Sequence, residues 1–569
     1  MIVLGINNMH DAAAAIVVDG SLVAAAEEER FTRIKHQVGF PASAIKYCLE
    51  EAGITLKDVD MVGVSWKPWV LGTRIANAVK ALAHSTYAFK AKAQRGMGQM
   101  GHEWYELFFM RRLLEKEFGG GKFKLRYVDH HLCHAISAFY VSPYERAAIL
   151  TVDGAGEEAT TTFWLGEGQK IKKIKEIKLP HSLGQFYAAV TGFLGFKMQA
   201  DEYKVMGMAS YGEPALADTF RKEAVRIEED GGFELNTRFI DYHLARQGIF
   251  LQETVQRLGK NRLPEDEISQ RHMDIANSAQ VVLEEAVFHL ANYLYRETRV
   301  ENLCMAGGVA FNCVANGKLY DQTSFRRIFI QPAAGDAGAA LGAALGLYHW
   351  ITHEPRNYRM SKAYLGPTFS SQKCRDTLAE FGLPYQELTK EEICTRVAAV
   401  LAQGKLVCWF QDRMEWGPRA LGNRSLLADP RRAEIRDIIN LKVKQRESFR
   451  PFAPSVLEER SYEYFGNPEP SPFMLFAFKV NPAKAGEIPA VTHVDGTARP
   501  QTVSREENGL YWSLIKEFEK NTGVPVLLNT SFNVQEPIVC TPRDAISCFL
   551  RTKVDYLVLN NFLVEQPGG

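Results

Sequence analysis

Three times in its first two-thirds this sequence runs an apolar stretch straight into a small, polar or glycine-bearing turn. Ile2-Val-Leu-Gly-Ile6 leads into Asn7-Asn-Met-His-Asp11, Ala147-Ala-Ile-Leu-Thr-Val152 into Asp153-Gly-Ala-Gly156, and Asn302-Leu-Cys-Met-Ala306 into Gly307-Gly308. Apolar runs of this length, bounded by turn residues, read as buried strands. Two more strands, Ala12–Val18 and Ser21–Ala26, follow the first turn, and Asp19-Gly20 between them predicts a hairpin. After Gly307-Gly308 a helical run reaches Asn316, so backbone N–H groups lie at a helix N-terminus, where an anion or nucleotide binds readily. Asp153 stands at a strand end beside glycines, placed for a metal or a phosphate.

Other side chains fit around these junctions. In Tyr127-Val-Asp-His-His-Leu-Cys-His-Ala135, His130 and His134 are four apart. A helix over 130–140 puts both imidazoles on one face, where they can grip one divalent metal. The bland alternative makes His131 a surface residue, His130 a cap and Asp153 a turn residue. Asp336 opens a Gly/Ala-rich helix, and Lys204, between a helix and a glycine turn, is placed to meet a phosphate. Glu27 to His36 reads as a solvated charged segment, with Lys35 and His36 able to point back to the first turn. Residues of about 70–120 read as a basic helical insert carrying Lys80, Lys90, Lys92, Arg95, Arg111 and Arg112.

At 569 residues the chain is too long for one domain. Lys+Arg and Asp+Glu both number 67, so no global field favours nucleic acid or an anionic membrane. The 9 Cys form no C-x-x-C pair, which argues against a zinc ribbon or a disulfide framework and for a reducing compartment. With no signal peptide and no apolar run long enough to span a bilayer, a cytoplasmic protein is expected.

Tyr364–Ser371 reads as a linker, and a strand over 405–410 opens a second domain. There Arg and Lys sit among Gly, Pro and aromatic residues: Met414–Ser425 with Arg419, Leu441–Pro454 with Lys444 and Arg450, Thr497–Thr502 with Arg499, and Leu527–Asn533 with Asn529 and Ser531. Guanidinium forks read carboxylate and phosphate in a plane, so several converging on one pocket imply a small, highly anionic ligand.

The order of the three junctions resembles the actin/sugar-kinase nucleotide-binding superfamily. Over nearly its whole length the chain also resembles the O-carbamoyltransferases of the NodU, CmcH and TobZ type. The shared motifs are His-Asp-Ala-x-Ala-Ala, Glu-Glu-Glu-Arg-Phe-Thr-Arg, His-His-Leu-x-His-Ala, Val-Asp-Gly-x-Gly, Lys-Val-Met-Gly-x-Ala, Gly-Gly-Val-Ala-x-Asn, Gly-Asp-x-Gly, Gly-Pro-Arg-Ala-Leu-Gly-Asn-Arg-Ser, Phe-Arg-Pro-Phe-Ala-Pro and Leu-Asn-Thr-Ser-Phe-Asn. The resemblance implies an α/β (α+β) chain with an actin-like ATPase domain (ASKHA, threonylcarbamoyl-transferase-like) over 1–365 and a YrdC-like domain over 366–569. It implies that the C-terminal domain makes carbamoyl-adenylate from carbamoyl phosphate and ATP with Mg. The N-terminal domain then passes the carbamoyl group to a hydroxyl of a small-molecule acceptor.

By the same resemblance the metal ligands are His130, His134, Asp153 and Asp336, with Fe(II) expected and Mn or another divalent ion equally suited to the donor set. His10 is the general base and Lys35 holds the adenylate or the developing oxyanion. Lys204, Gly307, Gly308 and Asn312 line the nucleotide site of the first domain. Arg419, Lys444, Arg450, Arg499, Asn529 and Ser531 line the carbamoyl phosphate and ATP pocket of the second. A homodimer is usual for the family. A tRNA-modifying enzyme on the same folds would carry a net basic surface, and a non-catalytic actin-like module would not need the arginine-rich second domain.

Overall fold

The strands at 2–27 and 146–178 build the same object twice. The structure, a computed structural model, describes residues 1–70 and 99–567. In the first sheet β1 (Ile2–Asn7), β2 (Ala13–Val18) and β3 (Ser21–Glu27) form an antiparallel meander, and β4 (Met61–Val64) and β5 (Lys124–Tyr127) add in parallel on the other side of β1, giving the order β3-β2-β1-β4-β5. In the second, β6 (Arg146–Val152), β7 (Ala159–Glu167) and β8 (Lys170–Lys178) form the meander. After a small hairpin of β9 (Val225–Ile227) and β10 (Phe233–Leu235), β11 (Asn302–Ala306) and β12 (Arg327–Ile330) add in parallel beside β6. The order β12-β11-β6-β7-β8 repeats the first sheet strand for strand. This duplication is the actin-like arrangement.

The chain divides into two compact units, Met1–Glu28 with His36–Met360, and Glu29–Lys35 with Ser361–Gly569. In unit 1 the central helix is Asp336–Thr352, rich in Gly and Ala because it is squeezed from two sides. A Cβ on Gly5 of β1 would lie 1.9 Å from the Ala340 carbonyl, and one on Gly342 would lie 1.9 Å from the Cys133 carbonyl of the His130–Phe139 helix. The second approach carries the start of the central helix to the histidines.

Unit 2 is organised on one mixed sheet of β13 (Gln386–Glu387), β14 (Val407–Phe410), β15 (Arg424–Ala428), β16 (Ala453–Leu457), β19 (Gln501–Val503), β20 (Val526–Ser531), β21 (Tyr556–Leu559) and β22 (Phe562–Glu565), with a separate ribbon of β17 (Phe478–Lys479) and β18 (Thr497–Ala498). Trp409, Tyr511, Phe518, Val397 and Leu401 pack the helices Lys390–Ala402 and Gly509–Thr522 against it. Burying each such side chain contributes about 1.5–3 kcal/mol.

Several expectations change. The 27–36 segment is solvated only in part, since Thr32, Ile34 and Lys35 are exposed. Glu27, Glu28 and Arg30 are buried, and Glu28 accepts hydrogen bonds from Ser43 N (3.1 Å) and Ala44 N (2.7 Å), capping the Ala42–Glu51 helix. Glu29–Lys35 belongs to unit 2, where Phe31 packs with Met414, Ala420, Ile538 and Cys540, while Arg30 donates to Gly417 O and Arg33 to Ile538 O. Glu28 and Arg30 lie buried because a helix end and a backbone carbonyl receive their charges. The 364–371 stretch is bonded into unit 2 rather than free, through pairs such as Met414 N to Pro367 O. Lys80, Lys90, Lys92 and Arg95 of the expected basic insert lie outside the described residues.

Candidate functional site

In unit 1, four side chains from three elements converge. His130 and His134 lie one turn apart on the His130–Phe139 helix, Asp153 follows the end of β6, and Asp336 opens the central helix. The two Nε2 atoms are 3.0 Å apart. They stand 3.3 and 3.1 Å from Asp153 Oδ2, and 3.6 and 3.7 Å from Asp336 Oδ1. Metal–ligand bonds of about 2.0–2.2 Å place neighbouring donor atoms roughly 3–3.6 Å apart. The four atoms thus already occupy the corners of a coordination shell, and the residues fit a divalent ion. Both histidines are fully buried. Burial opposes ionisation of Asp153, but the His130 and His134 imidazoles hold it well below the usual carboxylate range. Burial also disfavours a charged His130, and the Asp336 and Asp153 carboxylates outweigh it, raising the imidazole well above its ordinary value.

A second layer holds these ligands. Asp129 caps the histidine helix through Leu132 N and pairs with Lys67 Nζ at 2.8 Å. The buried Glu157 carboxylate accepts from His130 N. The Trp66 ring lies 4.6 Å from the His130 ring. His131 is not on the surface: its Nδ1 meets Thr151 Oγ1 at 2.7 Å and its Nε2 meets Ala159 O at 2.9 Å. Burial and the neighbouring His130 and His134 push it down to about 4, so it stays neutral. Trp66, Lys67 and Glu157 carry no spacing signal that reads as a site.

The Gly307-Gly308 turn lies against the same carboxylate. Gly307 has φ +94°, and a Cβ there would sit 2.3 Å from Val152 O. Gly308 N donates to Asp153 Oδ1 at 3.1 Å. Asn312 caps the Cys313–Gln322 helix through Ala315 N and exchanges hydrogen bonds with Gln280. Lys204 lies on the Glu202–Ala209 helix, 3.3 Å from Asp201. His10 stands beside Asp11, its Nδ1 3.3 Å from Oδ2. Burial lowers its pKa, but Asp11 and then Asp336 and Asp153 raise it to about 10; the last two carboxylates belong to the cluster that a divalent ion would neutralise, which would lower His10 again and free Nε2 to accept a proton. Lys35 is exposed at the end of the segment that belongs to unit 2.

In unit 2 the loop carrying Arg419 wraps a buried carboxylate. Glu415 Oε1 accepts from Leu421 N (2.7 Å), Asn423 N (2.8 Å) and Arg424 N (3.0 Å). Asn529 Nδ2 reaches Ala420 O, Ser455 Oγ and Gln501 Oε1, while its Oδ1 is buried without a hydrogen-bond partner. Lys444, 1% exposed, donates to Ser531 O, Asn533 O (2.8 Å) and Asn533 Oδ1 (2.7 Å). Burial, then the Arg446 and Arg450 cations, push it well below its ordinary value. Sequence reasoning passed over Arg424, in the same motif as Arg419. It is fully buried, stacks 3.6 Å over Phe410 and donates to the carbonyls of Gln411, Asn423, Pro367 and Asp412. Burial lowers it to about 10. Lys444, Ser531 and Arg450 are thus gathered, Asn529 holds the loop next to Arg419, and the contacts do not join the half-buried Arg499 to them.

Residues 2–345 match the family model of the carbamoyltransferase N-terminus, and residues 398–566 that of the carbamoyltransferase C-terminus. The chain belongs to the carbamoyltransferase family. This carbamoyltransferase is 44% identical over 602 residues to an uncharacterised protein of Synechocystis sp., covering 100% of this chain and 97% of that one. It is 40% identical over 565 residues to the nodulation protein NolNO of Sinorhizobium fredii, covering 98% of this chain and 79% of that one. Among solved structures, component A of (R)-2-hydroxyglutaryl-CoA dehydratase from Acidaminococcus fermentans matches with a TM-score of 0.33 and 16% identity, over 62% of this chain and 98% of that one. No described helix of the carbamoyltransferase is long and apolar enough to cross a membrane.

Proposed function

We propose that this carbamoyltransferase is an ATP-dependent O-carbamoyltransferase with one half-reaction in each unit. In unit 2, which we assign to the YrdC-like class, carbamoyl phosphate is hydrolysed to carbamate and phosphate. A carbamate oxygen then attacks the α-phosphorus of ATP, the bond to the β-phosphate breaks, and carbamoyl-adenylate and pyrophosphate result. In unit 1 the acceptor hydroxyl attacks the carbamoyl carbon, the carbon–oxygen bond to the phosphate breaks, and AMP leaves. His10 takes the hydroxyl proton. Lys204, Gly307, Gly308 and Asn312 line the nucleotide portion of the adenylate. Arg419, Lys444, Arg450, Arg499, Asn529 and Ser531 hold carbamoyl phosphate and ATP. The acceptor is a hydroxyl-bearing small molecule.

His130, His134, Asp153 and Asp336 would hold the divalent ion, with Fe(II) our assignment. When bound it would supply Lewis-acid polarisation of the carbamoyl group. The observation that carries the reading is in unit 2. Lys444, 1% exposed, is held by the neutral oxygens of Ser531 and Asn533, and no carboxylate among the described residues is bonded to its ammonium. A buried charge left this way is costly, and an anionic ligand beside it relieves the cost.

The test is to incubate the metal-loaded protein with ATP and carbamoyl phosphate and follow pyrophosphate and carbamoyl-adenylate. Both should form only when both substrates are present. A folded, metal-loaded protein that makes neither refutes the reading.

A further inference from the structure

Beside the metal cluster lies a second group of side chains, His10, Asp11 and His36, whose donor atoms all fall within 4.8 Å of one another. His36 Nδ1 stands 2.8 Å from Asp11 Oδ1, and His10 Nδ1 stands 3.3 Å from Asp11 Oδ2. One carboxylate therefore has an imidazole on each oxygen. A carboxylate only accepts, so the nitrogen 2.8 Å away carries a proton.

The backbone is shaped to make this contact. Asp11 has φ +51° and His36 has φ +53°, so both partners sit in the left-handed region, which costs a non-glycine residue on the order of 1 kcal/mol. Two such residues bonded to one another need support, and the structure supplies it. The fully buried Asn7 donates through Nδ2 to His10 O (2.8 Å) and Asp11 O (3.2 Å), and Ser65 Oγ holds the Asn7 Oδ1. Ala12 N bonds to Gln37 O, and Gly39 N bonds to Asn8 O, lacing 36–39 against 8–12.

We infer that Asp11 is a positioning residue for carbamoyl transfer, with His36 as its anchor: it keeps the proton on His10 Nδ1, fixes the ring plane, and leaves Nε2 as the nitrogen that takes the acceptor proton. The inference rests on the proposed role of His10. It also explains the strain, since a turn that merely joined β1 to β2 would not need two left-handed residues bound to each other. The same three donor atoms also fit around one cation, and the metal content of the protein decides between the two arrangements.

The experiment uses full-length, metal-loaded protein with 15N-labelled histidine. His10 and His36 are assigned by His10→Gln and His36→Gln. Wild type should show slowly exchanging, downfield Nδ1 protons on both rings, and Asp11→Asn should lose the one on His10. In parallel, ATP and carbamoyl phosphate are supplied with either glycerol or hydroxylamine as acceptor. Hydroxylamine attacks without a base, so Asp11→Asn should lower transfer to glycerol by on the order of 100-fold or more, through kcat rather than KM, and change transfer to hydroxylamine less than threefold. His36→Gln should show the same pattern, about tenfold on glycerol. Pyrophosphate release and thermal unfolding report that each variant is folded. Missing Nδ1 protons in wild type, equal losses with both acceptors, or two metal equivalents bound per chain would each overturn the inference. Wild type that carbamoylates neither acceptor defeats the functional reading instead, and the Nδ1 protons alone then decide on Asp11.

Discussion

The two units bury charge of opposite sign. Unit 1 gathers Asp153 and Asp336 around two imidazoles, a group that a cation completes. Unit 2 buries Arg424 and Lys444 among carbonyl and amide oxygens, a group that an anion completes. In unit 1 the imidazoles supply part of the counter-charge to Asp153 and Asp336, and in unit 2 Glu415 does so for Arg424, whereas the Lys444 ammonium meets only neutral oxygens among the described residues. Where a folded chain keeps one sign of charge out of water without its counterpart, several kcal/mol stand ready for a ligand that brings the counterpart.

The sharpest way to break this contrast is to remove the cation's ligands. His134→Ala or Asp153→Asn should cut bound metal, read by elemental analysis, and lower carbamoyl transfer by more than about 100-fold. Pyrophosphate release in unit 2 should persist. Loss of both half-reactions together would mean that the two clusters do not act separately. Next comes Lys444→Met, which strands Ser531 O, Asn533 O and Asn533 Oδ1 at about 1–3 kcal/mol for each group left unmet. Pyrophosphate release should fall by on the order of 100-fold while metal content is unchanged.

Arg424→Met tests whether the other buried cation also holds its loop. It leaves four carbonyls without their donor, and unit 2 should lose about 3–5 kcal/mol in urea unfolding. Arg424→Lys should recover only part of that, since one ammonium cannot reproduce the planar fork. An unchanged urea midpoint would show that these contacts contribute nothing.

The smallest effect sharpens the contrast from the acid side. Burial, then the nearby Glu458, raise the Glu507 carboxyl in unit 2 from 4.5 to about 7. A carboxyl raised on folding binds more protons folded than unfolded, so its contribution is most favourable below pH 4.5 and is lost as pH rises towards 7. Glu507→Gln should therefore raise Tm at pH 8 by on the order of 1–3 °C and leave Tm at pH 4 unchanged. A larger gain at pH 4 than at pH 8 would reverse the sign.

Much of unit 1 was legible because its signals are local. An apolar run ending at Val152 reads as a strand whatever lies elsewhere, and His130 and His134 share a helix face by spacing alone. The 27–36 segment was misread for the same reason. Its charges look solvated until the donors to Glu28 and the acceptor for Arg30 are known, and those are Ser43 N, Ala44 N and Gly417 O. Arg424 was passed over because nothing nearby in sequence distinguishes a guanidinium stacked on Phe410 from one in water.

By itself the sequence determined the repeated strand–turn junctions, the paired histidines and the glycine-rich helix that Asp336 begins, since dihedral preference and periodicity act over a few residues. Tertiary structure alone decided that Gly342 packs on Cys133 and so delivers Asp336 to the histidines, that Glu29–Lys35 is built into the second unit, and that Lys444 lies buried among oxygens. Those outcomes depend on which distant surfaces close on one another, and closure is set by the summed packing of the whole chain.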